Sequence, residues 1–147
     1  MTAQSARQDW MGLLARAPAA ELVRLWEAGA RAPEFTWLRA PETGTAMVRG
    51  RAGAVGAPFN LGEMTVTRCA LALDCGTQGH AYVQGRSRDH ARIAALCDAL
   101  LQTAAAGAIR AAILDPLAEA ETARRAARAE RAAATRVEFF TMTRGEG

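Results

Sequence analysis

The run Gln84-Gly85-Arg86-Ser87-Arg88-Asp89-His90 brings two guanidinium groups, a hydroxyl and an imidazole to a point where a strand gives way to a helix. Free backbone N–H groups at a helix start, with arginines beside them, are how an anion site is made. Gly85, Arg86, Ser87, Arg88 and His90 are therefore the candidate ligand-binding residues. A plainer reading of the same residues makes Ser87 the helix N-cap, Asp89 a favourable charge at the positive end of the dipole, and both arginines solvated. A second glycine-rich stretch, GRAGAVGAPF, places Gly50, Gly53 and Gly56 three apart. That spacing matches no dinucleotide fingerprint or phosphate loop, no Lys-Ser/Thr follows, and Pro58-Phe59 points back into a strand, so it reads first as a strand-connecting loop.

The remaining reactive side chains form weaker patterns. Cys69, Cys75, His80 and His90 lie within one stretch, but their spacing matches no zinc finger or ribbon, and no metal ligand set is assigned. Cys69 and Cys97 read as small buried apolar residues and Cys75 as a turn position. Glu119 and Glu121 read as a solvated helix face, so no catalytic residue is assigned. Arg124, Arg125, Arg128 and Arg131 form a cationic cluster laced by Glu121 and Glu130, with no interleaved aromatic residue of the kind a single-strand nucleic-acid surface uses. All 18 basic residues are Arg, which excludes Schiff-base chemistry and the phosphate-loop lysine.

The elements that must position these residues are those of one α+β domain. A chain of 147 residues buries roughly 68% of the surface its unfolded form exposes. Half of it is hydrophobic, yet 36 residues are Ala, so the effective core is smaller than that fraction implies. Trp10, Leu13, Leu14 and Ala17 recur at helical spacing up to Pro18, and Leu22, Leu25 and Trp26 mark a second helix stopped at Gly29. Phe35 and Trp37, then Met47 and Val48, suggest short strands on either side of a turn at 41–44, with two more strands at 65–73 and 80–84. Thr67, Cys69, Leu71 and Leu73 share one face. The result is an antiparallel sheet of about four strands, covered by a helix over 87–106 whose stripe is Ile93, Leu96, Cys97, Leu100 and Leu101.

Residues 107–114 also read as helical, up to a break at Asp115-Pro116. Beyond it lies an Ala-rich helix that, after Leu117, offers no apolar side chain larger than Ala, and then a terminal extended arm. In that arm Val137, Phe139, Phe140 and Met142 are candidate partner contacts, because large apolar residues at a terminus need somewhere to dock. The chain thus divides into a compact body, 1–114, and a segment for subunit association, 115–147. No 18-residue apolar run exists, and the first residues lack a leader pattern. With an odd number of cysteines, this points to the cytoplasm. A net charge of +3 interspersed with acids makes nucleic acid a poor partner.

Several stretches carry a family likeness. TRCALALDCGTQGHAYVQGR (67–86), His90-Ala91, Asp98-Ala99-Leu100 and VEFFTMTRGE (137–146) occur in that order. They are preceded by Trp10-Met11, Glu42-Thr43-Gly44 and FNLGE (59–63). Together they resemble the PhnG family, a subunit of the bacterial carbon–phosphorus lyase system. Cys75 and the arginines of 124–131 lie outside the family pattern and inherit no role from it.

The resemblance implies a core complex with the H, I and J subunits, two copies of each, the I subunit being the most direct partner. It implies that the complex uses ATP, displacing adenine by a phosphonate with the help of the I, H and L components, to give alpha-D-ribose 1-methylphosphonate 5-triphosphate. Catalysis is credited there to other subunits, and no cofactor is expected on this chain. Two further readings remain open: direct triphosphate or phosphonate binding through Arg86 and Ser87, and a free-standing basic RNA-binding module.

Overall fold

A computed structural model describes residues 2–53 and 55–144, with the side chains of 137–144 excepted. Helix α1 (Ala3–Arg16) starts at Thr2, whose hydroxyl accepts the Ser5 N–H at 3.1 Å, and stops where Pro18 forces Ala17 into an extended conformation. Helix α2 (Ala19–Gly29) buries Leu22 and Trp26. The two do not pack on each other as a hairpin: α1 lies against Arg88–Leu100 and Gln78–Gln84, and α2 against Arg88–Leu100 and the segment Arg110–Leu114.

Strands β1 (Phe35–Arg51), β2 (Pro58–Leu73) and β3 (Gln78–Gln84) form an antiparallel sheet in the order β1-β2-β3. The sheet has three strands because the runs expected on either side of 41–44 are one. Pro41, which cannot donate to a ladder, lies on an edge strand, and register shifts between Trp37 and Arg39 and between Arg39 and Glu42 absorb the irregularity without a reversal. The glycine-rich stretch turns β1 into β2, with Gly53 at φ +73°.

Helix α3 (Arg88–Leu100) lies on the sheet, and its buried residues Ile93, Leu96 and Cys97 meet Cys69, Leu71 and Leu73 in the core. Gly79 permits this approach: a Cβ there would collide with the Ala95 carbonyl oxygen and sit 2.8 Å from the Ala99 Cβ.

Helix α4 (Ala106–Ile109) runs through a π-helical turn (Arg110–Leu114) directly into α5 (Asp115–Arg144). The break expected at Asp115-Pro116 is absent. Pro116 falls in the first turn of α5, where a missing N–H is tolerated, and the wider π turn precedes it. Burial on α5 ends at Leu117; Ala118–Arg136 are half-buried or exposed. The expected terminal extended arm is helical through Arg144. The backbone of 137–144 continues α5, since no Gly or Pro interrupts it before Gly145 and an established helix extends one bond per residue.

Candidate functional site

The turn between β3 and α3 is built from the sheet outward. Gly85 adopts φ +94°, its N–H donates to the Thr65 carbonyl at 2.9 Å, and its own carbonyl accepts the Thr67 hydroxyl at 2.7 Å. Ser87 caps α3, its hydroxyl oxygen accepting the His90 N–H at 3.1 Å. Arg86 and Arg88 are exposed. His90, though adjacent in sequence, is only 2% exposed, and its Nε2 lies 2.7 Å from the Leu14 carbonyl. A carbonyl only accepts, so Nε2 carries the proton. Burial lowers the imidazole pKa, against the opposing pull of that hydrogen bond. The turn thus gathers Gly85, Arg86, Ser87 and Arg88, while the His90 ring is bonded to α1.

The most developed polar cluster centres on Asp98, which is fully buried. Its Oδ1 accepts the Arg7 Nε–H at 3.1 Å and the Trp10 Nε1–H at 2.8 Å; its Oδ2 accepts the Arg7 Nη2–H at 2.8 Å and the His80 backbone N–H at 2.9 Å. Four donors from α1 and β3 converge on one carboxylate of α3. The Arg7 pKa is raised, first by its hydrogen bond to Asp98. Nothing along α3 alone marks Asp98 as a hub, because its partners come from elsewhere. The trace in the sequence is that Trp10 and Asp98 both fall in stretches carrying the family likeness.

The thiols are separated. Cys69 is buried and donates to the Ala91 carbonyl at 3.2 Å, and burial pushes its pKa to about 11. Cys97 is buried inside α3, and burial pushes its pKa to about 12. Cys75 is exposed beside the Thr77 hydroxyl, 3.3 Å away, which lowers its pKa. The His80 side chain is exposed. Among the described residues, no three His, Cys, Asp or Glu side chains gather as a metal site, and every buried side-chain N or O has a hydrogen-bond partner.

Two surface features went unrecognised in the sequence. Beyond Val66, where pairing with β3 ends, β1 and β2 continue as a two-stranded ribbon to Arg51 and Pro58. None of its described residues is buried between Glu42 and Thr65, and Met47, Phe59 and Leu61 are 54%, 45% and 63% exposed. The second feature is an open groove of about 550 Å³ where Arg16, Gln84, Glu121, Arg124, Arg128 and Arg131 meet. It joins the arginine cluster of α5 to the end of β3. The side chains of Val137, Phe139, Phe140 and Met142 lie outside the described residues.

Fold and site define a three-stranded α+β protein whose buried polar groups are engaged in packing and whose unusual surfaces are a bare ribbon and an arginine-lined groove. The chain matches the family described as "Phosphonate metabolism protein PhnG" over residues 5–145. It is 47% identical over 140 residues to the alpha-D-ribose 1-methylphosphonate 5-triphosphate synthase subunit PhnG of Rhizobium meliloti (strain 1021), covering 95% of this chain and 90% of the relative. The chain belongs to the PhnG family of phosphonate metabolism proteins.

Proposed function

We propose that this protein is an accessory, non-catalytic subunit of the cytoplasmic carbon–phosphorus lyase complex. There it supports transfer of the ribose 5-triphosphate moiety of ATP to a phosphonate, with release of adenine. Its partners are the H, I and J subunits, two copies of each, with I in direct contact, and no cofactor is held by this chain. The relative's name as a synthase subunit supports a place in a multi-subunit enzyme.

The observation that carries the assembly reading is the ribbon. Two strands reaching about 25 Å beyond the three-stranded part are marginal in water by themselves. This pair presents Met47, Phe59 and Leu61 to solvent, and exposed large apolar residues on such an element serve as interface anchors. Residues 115–147 form the second association segment, since α5 contributes nothing to the core after Leu117.

Co-expression with the I subunit tests both surfaces. The double variant Phe59→Ser/Leu61→Ser and the deletion of 137–147 are each expected to reduce co-purification while leaving the thermal unfolding of the body in place. Unchanged recovery in both would remove the assembly reading.

A further inference from the structure

The groove between α1, the end of β3 and α5 goes beyond the assembly reading and stands independently of it. Arg124, Arg128 and Arg131 occur at i, i+4 and i+7, so they share one face of α5 and form a column about 10 Å long. Arg16 closes the groove from α1. It is held by Glu121, which accepts from its Nε–H at 2.8 Å and from its Nη2–H at 3.4 Å, and this pairing raises the Arg16 pKa. Arg124 is anchored from the other side by Glu21 at 3.3 Å. The lining therefore has four arginines against one carboxylate. Among the described residues, Arg128 and Arg131 have no acidic partner, so their guanidinium groups remain available.

Like charges stacked at this spacing disfavour the helix that carries them unless an anion lies between them. Guanidinium groups recognise phosphate oxygens in planar, paired fashion, and a linear column suits an extended chain of phosphates better than one tetrahedral anion. We infer that this groove is a binding site for a linear multi-phosphate group, held principally by Arg128 and Arg131, with Arg16 and Arg124 fixed by their carboxylate partners as its walls. The turn residues Arg86, Ser87 and Arg88 are not among the side chains that line it; Gln84 is where the two regions meet.

Calorimetric titration of the full-length chain with sodium tripolyphosphate at low salt tests the site. The expected result is one site per chain, at least about tenfold tighter for tripolyphosphate than for orthophosphate, and weakening as salt rises. Arg128→Ala and Arg131→Ala should each reduce affinity about tenfold, whereas Arg110→Ala, roughly 16 Å along the helix axis from Glu121, should change it less than twofold. Ala is the stronger helix former, so loss of α5 would not explain such a result, and circular dichroism of each variant checks this. ATP that displaces tripolyphosphate identifies the phosphate chain of a nucleotide as an occupant; ATP that does not reserves the site for free multi-phosphate. The inference is overturned if tripolyphosphate does not bind, binds no better than orthophosphate, or binds the Arg128 and Arg131 variants as tightly as the unaltered chain. It is equally overturned if single-stranded RNA binds and tripolyphosphate fails to displace it.

Discussion

Asp98 ties together parts of the chain about 90 residues apart, and its removal would strand donors in the interior. Asp98→Ala leaves the Trp10 indole and the His80 N–H without their acceptor and frees Arg7 from its partner. The expected cost is about 3–5 kcal/mol, read as a lower urea midpoint with an unchanged slope. His90 sets a pH dependence. Its folded pKa is depressed by burial, so the unfolded chain binds more protons below the usual imidazole value near 6.5. The stability it contributes is present above that value and is lost as pH falls toward the folded pKa. Unfolding midpoints should therefore decline below about pH 6.5, and His90→Gln should flatten this decline. An alkylating reagent at neutral pH should label Cys75 first, because only there is the thiol both exposed and lowered in pKa. Mass spectrometry of the labelled peptide checks the order. The buried cysteines were legible from the apolar pattern around them. The Asp98 hub was not, since helical periodicity says nothing of which α1 and β3 donors fold onto that position.

At the scale of elements, α3 seats on β3 because Gly79 has no side chain. Gly79→Ala must push the Ala95 carbonyl and the Ala99 methyl away, at an expected cost of about 1–3 kcal/mol in chemical unfolding. The stripe Ile93–Leu96–Cys97–Leu101 and the inward face Thr67–Cys69–Leu71–Leu73 could be read directly, because each is a local period. Two features of continuity could not. Pro41 and Gly44 look like a turn when taken locally, but a proline on an edge strand interrupts no ladder bond that the sheet needs. Pro116 looks like a helix stop, but it falls in a first turn entered through a π-helical turn. The ribbon was missed for a related reason: strand pattern shows that β2 exists, and only its register with β3 shows where support for it ends.

For the whole molecule, the bulky core ends at Leu117, and what lies outside that core is the ribbon, the rest of α5 and the arginine groove. The apolar side chains that the ribbon presents to solvent show why a chain that is half hydrophobic does not bury all of that half. Among the described residues, no helix is long and apolar enough to cross a membrane. Affinity purification of the tagged protein from phosphate-starved cells, followed by native mass measurement, tests whether this chain works as a subunit. The expected result is a discrete assembly containing the H, I and J subunits, two copies of each, together with this chain. Recovery of the chain alone, from cells in which those subunits are demonstrably present, would contradict it.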